Sequence, residues 1–173
     1  MFKKKYDIIV VGGGHSGVEA ALISSFLGAS VSLVTMDKNA IARMSCNPAI
    51  GGIAKGQIVR EIDVLGGVMA ETADVSGLQF KTLNKSKGRA VWSPRAQIDK
   101  RVYERNVLKR ITNSPVSIIQ SEAIAVGIDN YKVKNVILRT GEKINCSSLI
   151  ITAGTFLSGI IHIGERKILA GRM

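Results

Sequence analysis

The chain has 173 residues, enough to bury one ordinary core with at most an appendage. Its net charge of +11 is uneven: residues 79–110 hold ten basic side chains against Asp99 and Glu104, which is +8 of the total. Cys46 and Cys146 are too few for a disulfide framework and wrongly spaced for a zinc site, and no run approaches the roughly 18 consecutive apolar residues of a membrane-spanning helix.

The first predicted element is a strand, Tyr6-Asp7-Ile8-Ile9-Val10-Val11, which runs straight into Gly12-Gly13-Gly14-His15-Ser16-Gly17. Lys3-Lys4-Lys5 ahead of it imitates the start of a signal peptide, but Asp7 interrupts the apolar run and the glycines have a better explanation. They form GxGxxG between a strand and a helix. Gly12 permits the tight turn, Gly14 lets backbone approach a pyrophosphate, and Gly17 lets the helix pack closely on the strand. Free amides at the helix start then face the phosphates. His15 and Ser16 complete the loop; His15 serves its backbone geometry, with an acid-base role as the alternative.

The helix is expected over residues 16–27, with Val18, Leu22 and Phe26 at helical spacing and Gly28 as a left-handed cap. A second strand follows over residues 30–35. An NAD-type fingerprint expects an acid at its end for the ribose, but Thr35 ends the strand and Asp37 lies just beyond, a weak candidate. After a long connection a second helix is expected over residues 53–65, with Ile58, Ile62 and Leu65 on its inner face and Gly66-Gly67 as its stop. Residues 79–83 read as a short strand and residues 84–93 as a basic loop. Ser93-Pro94 reads as the start of a third helix reaching about Ile111, since Ser caps free amides and Pro suits the first helical position.

Beyond Pro115 the period changes to that of strands: residues 116–119, then 123–128, 132–139 and 142–147, the last three joined by turns at Asp129-Asn130 and Thr140-Gly141. A separate buried strand over residues 148–152 follows. The order predicts an α/β fold, a Rossmann-like FAD-binding domain of the glutathione-reductase type with an antiparallel meander as the crossover. NAD domains usually cross over with a helix, so the meander favours FAD.

Met44-Ser45-Cys46-Asn47-Pro48-Ala49-Ile50-Gly51-Gly52-Ile53-Ala54-Lys55-Gly56, with Gly12-Gly13-Gly14-His15-Ser16-Gly17-Val18-Glu19-Ala20-Ala21, resembles the tRNA uridine 5-carboxymethylaminomethyl modification enzyme (MnmG, or GidA) family. Glu61-Ile62-Asp63-Val64-Leu65-Gly66-Gly67, Gln79-Phe80-Lys81-Thr82-Leu83-Asn84-Lys85-Ser86-Lys87-Gly88, Arg95-Ala96-Gln97, Gly154-Thr155-Phe156-Leu157 and Ile161-His162-Ile163-Gly164 extend the likeness over nearly the whole chain. Arg89 stands where the family has proline, and Ala42-Arg43 replaces its Gly-Gln.

The resemblance implies an FAD-dependent cytoplasmic enzyme, homodimeric at full length, that works with the GTPase MnmE on the wobble uridine of tRNA. It implies methylene-tetrahydrofolate as one-carbon donor, NADH as reductant and glycine or ammonium as amine source. Family members are several times longer, with an NADH-binding insertion and a C-terminal helical region. The chain is therefore expected to be an N-terminal portion of the FAD domain, inactive alone, and its last residues are expected to lack a closing helix or strand.

The resemblance also maps the adenine contact, made by backbone, near Ile124, which is equally plausible as core. Cys46 is the catalytic suspect, because a thiolate is a good nucleophile beside a helix start or cation and Arg43 and Lys55 are near in sequence; the alternative is a small packing residue. Asn47, Gly51 and Gly52 would shape its loop against the flavin, and Lys55 could hold a phosphate. Lys85, Lys87, Arg89 and Arg95 are the tRNA candidates within the basic stretch, the alternative being a solvated face. Trp92 among them could stack on a base or simply pack. The competing classes are a flavoprotein oxidoreductase acting on a small molecule and a non-catalytic FAD-binding remnant.

Overall fold

Two strands that bury residues on both faces start the architecture. In a computed structural model, which describes residues 5–171, β1 (Lys5–Val11) leads into α1 (His15–Phe26) and β2 (Val31–Thr35). Lys3, Lys4, Arg172 and Met173 lie outside the described residues. Gly28, at φ 91°, caps α1 as expected, its amide bonded to Ser25 O at 3.0 Å. Successive side chains on a strand point to opposite faces. Val10 and Leu33 therefore enter one core with Val18 and Ala21 of α1, while Ile9 and Val34 enter the other with Ile119 and Ile144.

A small layer follows. β3 (Ala49–Gly51), α2 (Lys55–Val64), α3 (Met69–Val75), β4 (Gly77–Leu83) and β5 (Ser93–Ile98) precede α4 (Lys100–Thr112), and β3-β5-β4 form a three-stranded antiparallel sheet. This corrects the helix start at Ser93-Pro94. Ser93, Ala96 and Ile98 turn inward as strand positions, and Pro94 pairs with Thr82. The true cap is Asp99, whose Oδ1 accepts from the amides of Arg101 at 2.8 Å and Val102 at 3.1 Å. On α2 the inner face is Gly56 and Val59; Ile58 and Leu65 are exposed, because only one turn of this helix meets the core.

Neither α3 nor β3 is signalled locally by pattern. The start of α3 has no side-chain cap of its own and is held by Glu19 of α1, whose carboxylate accepts from the amides of Val68 at 3.1 Å and Met69 at 2.7 Å. Replacing Glu19 with alanine leaves those donors unsatisfied and is expected to cost about 1–2 kcal/mol, the usual worth of a helix cap. Urea unfolding of the variant measures it.

The chain then closes its main sheet with β6 (Ser117–Gln120), β7 (Ala123–Asp129), β8 (Lys132–Leu138) and β9 (Lys143–Ile151). The strand order is β6-β2-β1-β9-β8-β7, with β6, β2, β1 and β9 parallel and β9, β8 and β7 an antiparallel meander. The expected third meander strand and the separate buried strand are one. Its first residues pair with β8, while its length from Asn145 to Ile151 pairs with β1. A period-2 strand that changes neighbours midway shows no break in sequence. The β7–β8 turn falls on Asn130 and Tyr131, both left-handed at φ 47° and 58°, one residue later than expected.

A hairpin, β10 (Ile160–Ile163) and β11 (Arg166–Leu169), follows, so the expectation of no strand in the closing residues is also corrected. Among the described residues, no helix is long and apolar enough to cross a membrane.

Candidate functional site

The site grows from the C-terminal end of β1. The Gly12 amide bonds Val34 O at 2.9 Å, and its φ of 109° turns the chain sharply toward α1. A Cβ on Gly12 would strike the Thr152 carbonyl, and one on Gly17 would strike the carbonyl of Gly12. The Thr152 hydroxyl, from the end of β9, donates to Val11 O at 2.8 Å and closes the turn. Gly12 and Gly17 are thus required by packing. Gly13 backs onto Thr35 and Ile41.

Gly14 differs from all three. It is the exposed N-cap of α1, offers no side-chain cap, and a Cβ placed on it would meet nothing within 4 Å. No acidic residue occupies the first turn. The amides of that turn therefore face open space, the arrangement that binds phosphate.

That space is a cavity of about 1530 Å³. It exceeds the roughly 300–1,000 Å³ of sites for drug-sized ligands. One wall is Gly12, Gly13, Gly14, His15 and Ser16; Gly17 lies buried behind it. Asp37 lines it too, but its Oδ1 already accepts from the Asn39 amide at 2.8 Å and Arg43 lies 3.8 Å from its other oxygen. Ile124 lies across the cavity and is exposed, which removes its reading as core. A bulge between Ala123 and Ala125 leaves Ile124 outside the paired register of β7 and β8. Its backbone is thus available to a ligand.

Cys46 and Asn47, both exposed, stand on the same wall as Lys55, the first residue of α2. Their loop is hung at two points. The Ala42 amide bonds Gly13 O at 2.8 Å, and the Met44 amide donates to Glu104 Oε1 at 2.8 Å. Gly51 and Gly52 do not line the cavity. They turn the chain at β5, where a Cβ on Gly51 would strike the Pro94 carbonyl and the Gly52 amide bonds that carbonyl at 2.8 Å. Burial pushes the Cys146 thiol up. Among the described residues, no group of three or more His, Cys, Asp or Glu side chains is placed to hold a metal.

His15 is held by its surroundings more than its loop position suggests. Its ring packs on that of Tyr103, 5.6 Å between centroids with planes 34° apart. Burial lowers its pKa from the ordinary 6.5, the Lys55 cation lowers it further, and Glu104 pulls the other way. The folded chain therefore binds the His15 proton less readily than the unfolded one. The stability this contributes is full above pH 6.5 and lost as pH falls through the folded value. In His15→Gln the melting temperature should fall less between pH 7 and pH 5 than in the native chain.

The basic candidates stand apart from this cavity. Lys85, Lys87 and Arg89 are exposed on two short 3₁₀ turns joining β4 to β5, and Arg95 is half-buried on β5 opposite Lys81. Trp92 staples the turn: its Nε1 donates to Lys85 O at 3.2 Å, and the Arg89 guanidinium sits 5.8 Å from its ring centroid. On α4, Arg110 pairs with Glu71. Thr152, Tyr103, Glu104 and Glu19 are the site and support residues that local pattern does not mark. Each acts on a segment at least 49 residues away: Thr152 on Val11, Tyr103 on His15, Glu104 on Met44 and Glu19 on Val68.

A family model described as "Glucose inhibited division protein A" matches residues 7–173. A tRNA uridine 5-carboxymethylaminomethyl modification enzyme MnmG of Sulfurihydrogenibium sp. is 49% identical over 98% of this chain, and one of Karelsulcia muelleri is 51% identical over 100% of it. The chain spans 28% of the length of each. The crystal structure of Aquifex aeolicus GidA superposes with a TM-score of 0.92 at 45% identity, covering 97% of this chain and 28% of that one. The fold alone is shared with a probable FAD-dependent monooxygenase of Pseudomonas aeruginosa, at a TM-score of 0.59 and 19% identity over 84% of this chain and 41% of that one. On the strength of the family match and these relatives, the chain belongs to the glucose-inhibited division protein A (GidA, MnmG) family and corresponds to its N-terminal part.

Proposed function

We propose that this chain is the FAD-holding part of an enzyme that modifies the wobble uridine of tRNA. The observation that carries the reading is the cavity at the head of β1, where the uncapped first turn of α1, the open Cβ position of Gly14 and the unpaired backbone at Ile124 face one space. A dinucleotide fits these features: phosphates at the amides, adenine at the backbone of the β7 bulge. Bound FAD supplies two-electron redox chemistry and, in the proposed reaction, a route for the one-carbon unit of methylene-tetrahydrofolate to reach uridine.

The chain's own residues bind and orient. Gly12 to Ser16 hold the pyrophosphate, with Gly17 packing α1 behind them, while Asn47 and Lys55 border the part of the cavity left for the flavin and substrate. Cys46, exposed on that wall, is the nucleophile of the proposal, and Lys85, Lys87, Arg89 and Arg95 hold tRNA phosphates. NADH as reductant, the GTPase MnmE as partner, homodimer assembly and a cytoplasmic location belong to the same proposal for the full-length enzyme. The chain spans 28% of its relatives' length, and the proposal assigns completion of the modification to the full-length enzyme.

Titration of the purified chain with FAD, followed by flavin fluorescence, tests the first half: saturable one-to-one binding is expected, and none from a chain that melts cooperatively would reject it. The second half is tested by incubating the chain with FAD, methylene-tetrahydrofolate, NADH, ammonium, MnmE and tRNA. No modified wobble uridine is expected by mass spectrometry; finding it would show that the chain is sufficient.

A further inference from the structure

A buried polar atom without a hydrogen-bond partner weakens a fold, so one that is retained calls for another purpose. Among the described residues two side-chain atoms are in that condition, Asn135 Oδ1 and His15 Nε2. Asn135 lies on β8 and does not line the cavity. His15 does, as the first residue of α1, immediately after the open Gly14.

Three elements face this imidazole. Lys55 bears on it from α2, Tyr103 and Glu104 from α4, and on its own helix Glu19 bears in turn on Tyr103. In the absence of a ligand, burial and the Lys55 cation keep the ring neutral. A neutral imidazole has one donor and one acceptor, whereas an imidazolium has two donors and needs negative partners. Glu104 already brings one negative charge to bear on the ring, while its Oε1 accepts from the Met44 amide.

We propose that His15 is a cofactor-binding residue whose imidazole takes up one proton when the pyrophosphate of FAD enters the cavity at the start of α1. The proposal rests on the FAD reading above. A pyrophosphate brings two negative charges to the helix start of which His15 is the first residue, and these offset both Lys55 and burial. The proton comes from solvent with each FAD bound and returns when FAD leaves; no bond of the cofactor changes. Where FAD has raised the affinity of the ring for its proton, linkage requires the proton to raise the affinity for FAD by the same factor.

The direction follows. Between the proton affinities of the free and occupied sites, FAD should bind more tightly as pH falls, by up to about tenfold per pH unit. Calorimetric titration with FAD at pH 7, in two buffers of different ionisation enthalpy, should show close to one proton taken up by the native chain. His15→Gln should take up none, bind about tenfold more weakly and lose the pH dependence. His15→Phe keeps the ring on Tyr103 and deletes the unpartnered nitrogen, so without ligand it should melt above the native chain while showing the same loss of proton uptake.

Native affinity, proton uptake and pH slope in both variants would overturn the proposal and leave the FAD reading intact. A native chain that melts cooperatively and binds no FAD would remove the FAD reading, and this inference with it.

Discussion

Replacing Gly14 with valine should raise the FAD dissociation constant at least about a hundredfold, roughly 2.7 kcal/mol, while the chain melts where the native one does. The two halves of that expectation have separate causes. In the folded chain Gly14 has φ −72° and ψ −178°, an extended conformation open to any residue, and its Cβ direction is empty to 4 Å. Valine therefore enters without strain. It then fills the space in which phosphate oxygens must approach the amides of α1.

The neighbouring glycines cannot serve as this probe. A side chain on Gly12 strikes the Thr152 carbonyl and one on Gly17 the Gly12 carbonyl, so a missing flavin there would report a failure to fold. Gly14→Val separates binding from folding, and flavin fluorescence beside a thermal melt reads both. A folded variant with native affinity would show that the pyrophosphate lies elsewhere.

The same distinction explains how far the sequence could be read. GxGxxG in its strand-to-helix context identified the turn, the cavity wall and the place of α1 because the motif itself spans six residues, although Thr152, Thr35 and Ile41 crowd its glycines from farther along the chain. The meander was legible from its turns and alternating pattern, down to the positions of β7 and β8. What escaped depends on partners far along the chain. Ser93-Pro94 satisfies the rules for a helix start, yet its segment is the middle strand of a sheet whose other strands are Ala49–Gly51 and Gly77–Leu83. Tertiary pairing overrode a sound local signal, and Asp99 six residues later met the capping requirement.

For the site, residue type and placement were legible to different degrees. Cys46, Asn47 and Lys55 were marked by an unusual segment, and the fold brings all three to the cavity beside the glycine loop. Gly51 and Gly52 belong to the same segment but are explained by the carbonyl of Pro94, an approach no spacing within the motif could reveal. His15 was readable as a loop residue, with an acid-base role as the alternative. Its unpartnered nitrogen and its stacking on Tyr103 come from packing α4 against the start of α1.

Neutralising Lys85, Lys87, Arg89 and Arg95 together in the proposed full-length enzyme should weaken tRNA binding about a hundredfold near 0.15 M salt and flatten its salt dependence, by about 0.9 or less in log-log slope for each phosphate left without its cation. Lys85, Lys87 and Arg89 are free to reach phosphate from the β4–β5 connection, whose shape Trp92 fixes. Arg95 is half-buried on β5, so it should account for the smallest share. FAD content should not change, because none of the four lines the cavity. The single variants order the contributions: Lys87→Gln should flatten the slope by the share of one phosphate, and Arg95→Gln by less. An unaltered slope in the fourfold variant would make the cluster a solvated surface. The remaining basic side chains of residues 79–110, on β4 and α4, would then be the next to test, with Arg110 the weakest candidate because Glu71 already neutralises it.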